Sequence, residues 1–291
     1  MLSQFLQFLF SGLTIGATYA AAAIGFTLVF NASGVINFAQ GEFMMIGGMA
    51  AVSFVQFGVP LPLAIALAIA IAAAIGMIME KLAIEPAGDS EVVTIIIITI
   101  GASLTLRGIA QLLLGKSTRA LPAFSGDRPI SVLGATLLPQ NLWILGTMAL
   151  VVVALAWFFG RTRTGKAMVA TSHNALAARL VGIDTKFILF LAFGLSSAIG
   201  AIGGVLVAPI SYTSYDVGIM LGLKGFVAAT LGGLGSGMGA VVGGLLLGLA
   251  EAMTAGYISS AYKDATSFLL ILLILFLMPQ GLFGKKATDR V

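Results

Sequence analysis

PQNLWILGTMALVVVALAWFFG at residues 139–160 runs into RTRTGKAMVATSHNALAARLVGIDTK at 161–186, then into FILFLAFGLSSAIGAIGGVLVA at 187–208. Each flank is long enough to cross a hydrocarbon core, which takes roughly 20 apolar residues as a helix. The polar island between them carries Arg161, Arg163, Lys166, Arg179 and Lys186. A basic excess beside membrane spans marks the cytoplasmic side. This pattern of span, basic loop and span decides the fold class: an all-α polytopic membrane protein.

The rest of the chain agrees. Hydrophobic residues make up 59% and charged residues only 9% of 291, with 37 glycines, and mean hydropathy is +1.09. A soluble domain has too few charges here to build its surface. The pI near 9.5 would suggest nucleic acid in a soluble chain. In this one the basic residues sit in loops beside apolar runs, so they set orientation and no nucleic-acid partner is expected. There are no cysteines, which excludes disulfides and thiolate chemistry. The N-terminal stretch lacks a basic leader region, and its apolar run is too long for a signal peptide; it reads as a retained first span.

Apolar runs place spans near 4–30, 42–57, 61–80, 92–115, 139–160, 187–208, 216–234, 238–258 and 265–283. The runs at 42–57 and 216–234 are short or interrupted and read as half-helices, giving about 8–10 crossings. Loop 161–186 and the C-terminal Lys285, Lys286 and Arg290 should share the cytoplasmic side, which four crossings between 187 and 283 allow. Loop 116–138 then faces outward despite Lys116, Arg119 and Arg128, and the N-terminus is outside. Small residues recur every fourth position, as in Gly12/Gly16/Ala20 and Ala240/Gly244/Gly248. Such faces let helix backbones approach closely.

Two segments break helical periodicity at membrane depth: Asn31 to Glu42, and Thr230 to Gly239. Irregular backbone there must be covered by protein or line a wet cavity. One broken segment in each half suits a transport path at a repeat interface, although no residue-level repeat is visible. Glu42, Arg107 and Glu251 are the ionisable residues read at membrane depth. Each faces a cavity or a partner if it is not to be prohibitively costly. For each, a structural role weighs as much as a transport role. Arg107 has the further option of snorkelling outward.

Several apparent sites dissolve on inspection. Ala110-Gln111-Leu112-Leu113-Leu114-Gly115-Lys116-Ser117 matches a permissive phosphate-loop pattern. A working one needs a strand, a glycine-rich turn and a following helix, whereas three leucines fill this turn at the end of a span. His173, the lone histidine, has no cysteine or carboxylate cluster beside it. Asn31-Ala32-Ser33 is a formal glycosylation sequon between spans. No enzymatic centre is expected in this chain.

Gly12–Gly48, with Asn37-Phe38-Ala39-Gln40-Gly41-Glu42 as its most specific part, resembles the N-terminal signature of permease subunits of branched-chain amino acid ABC transporters. The island and its continuation to Gly204, the stretch Gly225–Glu251 and the Met-Pro-Gln-Gly-Leu-Phe-Gly ending extend the resemblance over essentially the whole chain. It implies one transmembrane permease domain over 1–291, with a cytoplasmic coupling loop at 161–186. In such importers a short permease helix enters a groove on the ATPase. Here Leu176-Ala177-Ala178 and Gly182 fit, with leucine in place of the family's glutamate. Gly165, Lys166 and Arg179 flank them. The small alanines permit close approach, and Gly182 permits a sharp exit. Asn37, Gln40 and Glu42 are the implied polar contacts along the path.

The resemblance further implies a bacterial inner-membrane complex with a homologous second permease, cytoplasmic ABC ATPases and a soluble substrate-binding protein. ATP and Mg would be held by the partners and no cofactor by this chain, which contacts lipid. The implied cargo is leucine, isoleucine and valine, with urea or amides as alternatives. A self-sufficient channel or secondary transporter is the rival class. It suits broken helices but gives no reason for the alanine-rich basic loop.

Overall fold

The computed structural model describes residues 2–88 and 90–284; Lys285, Lys286 and Arg290 lie outside the described residues. Eleven α-helices run through the described residues, with one two-stranded hairpin. The first four are α1 (Leu2–Ser33), α2 (Gln40–Gln56), α3 (Leu61–Met79) and α4 (Val92–Leu114). A hairpin of β1 (Ile130–Val132) and β2 (Ala135–Leu137) precedes α5 (Pro139–Arg161). Then come α6 (Arg163–His173), α7 (Ala175–Leu180), α8 (Thr185–Ser211), α9 (Val217–Gly232), α10 (Gly237–Tyr257) and α11 (Lys263–Leu277). Seven helical segments are long and apolar enough to cross a membrane, built on α1, α3, α4, α5, α8, α10 and α11. The chain is an all-α polytopic membrane protein, and each of the nine apolar runs is a helix.

The two weak runs, α2 and α9, are the short ones, with 17 and 16 residues. Both start near the middle of the bundle. Gln40, at the start of α2, hydrogen-bonds Ser196 about midway along α8. Gly218 in the first turn of α9 lies against Gly41. From that meeting point α2 climbs alongside α8 to the end bearing Arg119, while α9 descends alongside α1 toward Asn31 and Gly235. The interrupted runs are therefore half-helices, their crossings completed by residues 34–39 and 212–216.

Symmetry emerges that no residue pattern displays. In α1–α4 and α8–α11 the order is long helix, break, half-helix, long helix, helix, but the second set runs in the opposite sense. Packing follows the same rule: α1 on α10 matches α8 on α3, α2 on α8 matches α9 on α1, and α2 on α4 matches α9 on α11. This is an inverted-topology repeat with its axis in the membrane plane, passing where α2 crosses α9.

The second break corrects the sequence reading, which placed it at 230–239. Residues up to Gly232 are still helical, and Gly233 (φ 100°) and Gly235 (φ 91°) form a tight turn at the end of the bundle. The glycines there serve close contact: Gly232 abuts Gly239, and residues 282–283 donate backbone hydrogen bonds to Leu231 and Gly232. The true break, Tyr212 to Asp216, contains no glycine; Tyr212 takes φ 61°.

Residues 278–284 thus lie at the same end as α6 and α7, and the N-terminus at the other, beside the hairpin, where Gln7 bonds Thr136. Arg119, a basic residue in the hairpin-end loop, bonds Ser53, Gln56 and the Leu114 carbonyl. Its backbone bridges Thr213. Its guanidinium joins α2 to the end of α4, and its backbone joins the segment that follows α8.

The α1–α10 contact relies on the small-residue faces. A methyl group on Gly12 or Gly16 would come within 2.8 Å of the α10 backbone. With little hydrophobic drive between helices in lipid, that closeness supplies the packing energy. Gly16→Ala should therefore cost about 1–3 kcal/mol by overpacking. Thermal unfolding in detergent reads the loss, and an unshifted midpoint would contradict it.

Candidate functional site

The loop that follows α5 is a folded unit rather than a connector. Thr162, Asn174 and Asp184 cap α6, α7 and α8 in turn, their side chains accepting from the backbone of Gly165, Ala177, and Lys186 with Phe187. Each cap contributes about 1 kcal/mol to its helix start. Gly165 lets α6 fold back: its N–H reaches Thr162 Oγ1 at 2.9 Å, and a Cβ there would strike the Phe158 carbonyl. Met168 then packs on Ile188 and Ala192, fixing α6 to α8.

α7 ends in a closing motif set by Gly182. Ile183 N–H donates to Ala178 O and Gly182 N–H to Arg179 O, with Gly182 at φ 86°. Glycine adopts this left-handed exit without steric cost. Ala178 is buried, while Ala177 is exposed. Leu176, Leu180 and Val181 are 68%, 81% and 77% exposed, apolar side chains left uncovered at the α6–α7 end of the bundle. Lys166 and Arg179 are both exposed, and Arg179 Nε donates to Thr185 Oγ1 at 2.7 Å.

The signature residues of the first break take separate places. Asn37 is buried, with Oδ1 accepting from Ala39 N–H. Gln40 is buried between α1 and α8, where the Ser196 hydroxyl bridges its Oε1 (2.6 Å) and the Gly25 carbonyl (2.8 Å). A side chain at Gly25 would collide with this amide, so Gly25 makes room for Gln40. Glu42 alone of the three lines a crevice, in company with Arg107 and Ser103. Its Oε1 accepts from Ser103 (2.9 Å) and from Arg107 Nη2 (2.9 Å). Arg107 turns inward to this carboxylate rather than snorkelling.

A second ion cluster sits in the other repeat. Lys224 on α9 reaches Glu251 Oε1 at 2.9 Å, Asp264 Oδ1 at 2.6 Å and the Tyr19 hydroxyl at 3.1 Å. Tyr19 and Ser267 also donate to Glu251. This network ties α1, α9, α10 and α11 together. The sequence reading singled out Glu251 and missed Lys224 and Asp264. A lysine inside the apolar run 216–234 was the available signal, since such a charge requires a buried partner. Among the described residues no group of three or more His, Asp or Glu is placed to hold a metal.

Residues 8–278 match the family described as branched-chain amino acid transport system / permease component. The chain belongs to this family. It is 36% identical to the high-affinity branched-chain amino acid transport system permease protein LivH of Escherichia coli K12, over 99% of this chain and 98% of LivH. Its identity to the corresponding Pseudomonas aeruginosa permease, BraD, is 34% over the same shares. The structure of PsaBC from Streptococcus pneumoniae, in complex with Fab, shows the same fold. There the TM-score is 0.52 at 17% identity, covering 96% of this chain and 97% of that one. The relatives are transport permease subunits.

Within this permease the phosphate-loop match falls at the hairpin end, opposite α6 and α7. Lys116 is exposed and no helix follows it directly. Lys116→Ala should leave nucleotide binding by the assembled transporter unchanged, measured with a fluorescent ATP analogue. A clear loss of affinity would make the motif functional.

Proposed function

We propose that the whole chain, residues 1–291, acts as one transmembrane permease domain of an ATP-driven importer for leucine, isoleucine and valine in the bacterial inner membrane. The observation that carries this reading is the rigid, capped α6–α7 unit, which presents Leu176, Leu180 and Val181 uncovered at the basic end of the bundle. An apolar cluster of this kind in water is an interaction site. Its occupant is the groove of a cytoplasmic ABC ATPase, toward which Lys166 steers the encounter.

ATP and Mg are held by those partners, and this chain carries out no covalent chemistry. A homologous second permease completes the path, and a soluble binding protein delivers cargo at the hairpin end. Nucleotide shifts the bundle between states only through contacts that differ between them, and the capped loop transmits those contacts. The inverted repeat, with two half-helices meeting at mid-depth, supplies the element that rocks. The substrate class rests on the relatives' assignments.

Gentle purification of the tagged chain from its native membrane, with mass spectrometry of co-eluting proteins, tests the assembly. Stoichiometric recovery of an ATPase and a second permease is the expected result. A clean homo-oligomer, under conditions that preserve known complexes, would favour a self-sufficient channel or secondary transporter.

A further inference from the structure

The crevice beside Glu42, about 170 Å³, is walled by Phe26, Phe38, Ile100, Leu104, Ile219 and Leu223. Its polar floor is unusual in being only half used. Glu42 is 1% exposed, and while its Oε1 takes all the hydrogen bonds from Ser103 and Arg107, its Oε2 has no partner. That oxygen is aimed at Gly218, where a Cβ would come within 2.7 Å of it. The bare glycine lets α9 pack directly beside the carboxylate at the edge of the crevice that both residues line. Arg107 is likewise half committed: Nε and Nη2 face Glu42, while Nη1 makes no hydrogen bond among the described residues.

A buried carboxylate oxygen without a partner carries a large desolvation cost, so a ligand or water that satisfies it is favoured. The two free groups have opposite demands, one accepting from a cation and the other donating to an anion. Around them are six aliphatic and aromatic side chains. We propose that this crevice is a transit site for an amino acid zwitterion. The substrate ammonium lies on Glu42 Oε2, its carboxylate on Arg107 Nη1, and its branched side chain against the apolar wall. Ile100 and Leu104 are exposed on α4, so the site opens at that face of the bundle. The inference rests on the importer reading and adds to it the groups that recognise the cargo inside the membrane.

The chain contains no cysteine, so Leu104→Cys provides one thiol at the mouth of the crevice without touching the ion pair. The reconstituted transporter, with both permeases, ATPases and binding protein, is treated with a small maleimide, and labelling of this chain is followed by mass. Leucine at about ten times its half-saturating concentration should slow labelling roughly tenfold, because only about a tenth of the sites are then open. Isoamylamine and 4-methylpentanoate, which each lack one charge, should protect far less, and Glu42→Gln should remove the protection. Normal ATP-driven uptake with labelling unaffected by leucine would overturn the transit site and leave the importer reading standing. Equal protection by the singly charged analogues would overturn zwitterion recognition. Absence of any ATP-driven uptake by the wild-type assembly would instead overturn the importer reading, and the transit site with it.

Discussion

Lys224→Met should cost about 3–5 kcal/mol of stability, the usual loss when one member of a buried ion cluster is removed. The side chain is 9% exposed and lies between two carboxylates, Glu251 and Asp264. Methionine fills the volume but leaves the buried Glu251 carboxylate without its cation, while Asp264 is 43% exposed and reaches solvent. Glu251 forms no other ion pair among the described residues, and Tyr19 and Ser267 supply it only neutral donors, whereas Asp264 still has Lys263 beside it. Adding Glu251→Gln to Lys224→Met should recover part of the loss, because one uncompensated charge is then gone. The double-mutant cycle isolates that coupling. Thermal unfolding of the purified chain in detergent measures it. A Lys224→Met protein as stable as the parent would show that the cluster does not hold α9, α10 and α11 together.

Gly182→Trp should abolish ATP-driven uptake while the protein still inserts and folds. A Cβ at Gly182 meets nothing within 4 Å, so the bundle itself is not disturbed. The cost is conformational: a non-glycine residue at φ 86° pays about 1–2 kcal/mol in the left-handed region. It relieves that strain by redirecting the exit of α7. Leu176, Leu180 and Val181 then no longer present one rigid patch, and the bulky ring stands at the rim of the docking surface. Uptake and basal ATPase rate in proteoliposomes are the paired measurements. Uptake should be lost with the chain present at normal abundance, and normal uptake would remove the coupling role from α7.

Much of the fold is legible in the sequence because lipid imposes simple rules. Every apolar run became a helix, and the two short runs became half-helices. The break between α1 and α2 announced itself through Asn37, a polar residue with no place inside an ordinary span, but it is shorter than the stretch 31–42: residues up to Ser33 belong to α1, and Gln40 to Glu42 open α2. The second break did not, because Tyr212 to Asp216 looks like any polar connection between spans. The glycines downstream drew attention to 230–239 instead, where they serve helix contact. The inverted repeat is a property of backbone paths. At the two half-helix starts, Gln40-Gly41-Glu42 corresponds to Val217-Gly218-Ile219, and only the glycine is shared.

The candidate sites were unevenly legible. Gly182 stands where its residue type predicts, at a helix exit. Glu42 was picked out, but its pairing with Arg107 across 65 positions depends on α2 starting at mid-depth, which no local pattern encodes. Gln40 was chosen as a polar group in a break, and the structure places it in a sealed contact with Ser196.

The most direct test of the account is uptake of radiolabelled leucine by proteoliposomes holding this chain, its second permease and their ATPases, with purified binding protein added. Accumulation against a gradient that requires ATP and stops without the ATPases is the predicted result. Leucine movement that proceeds at the same rate without ATPase subunits or nucleotide would contradict it.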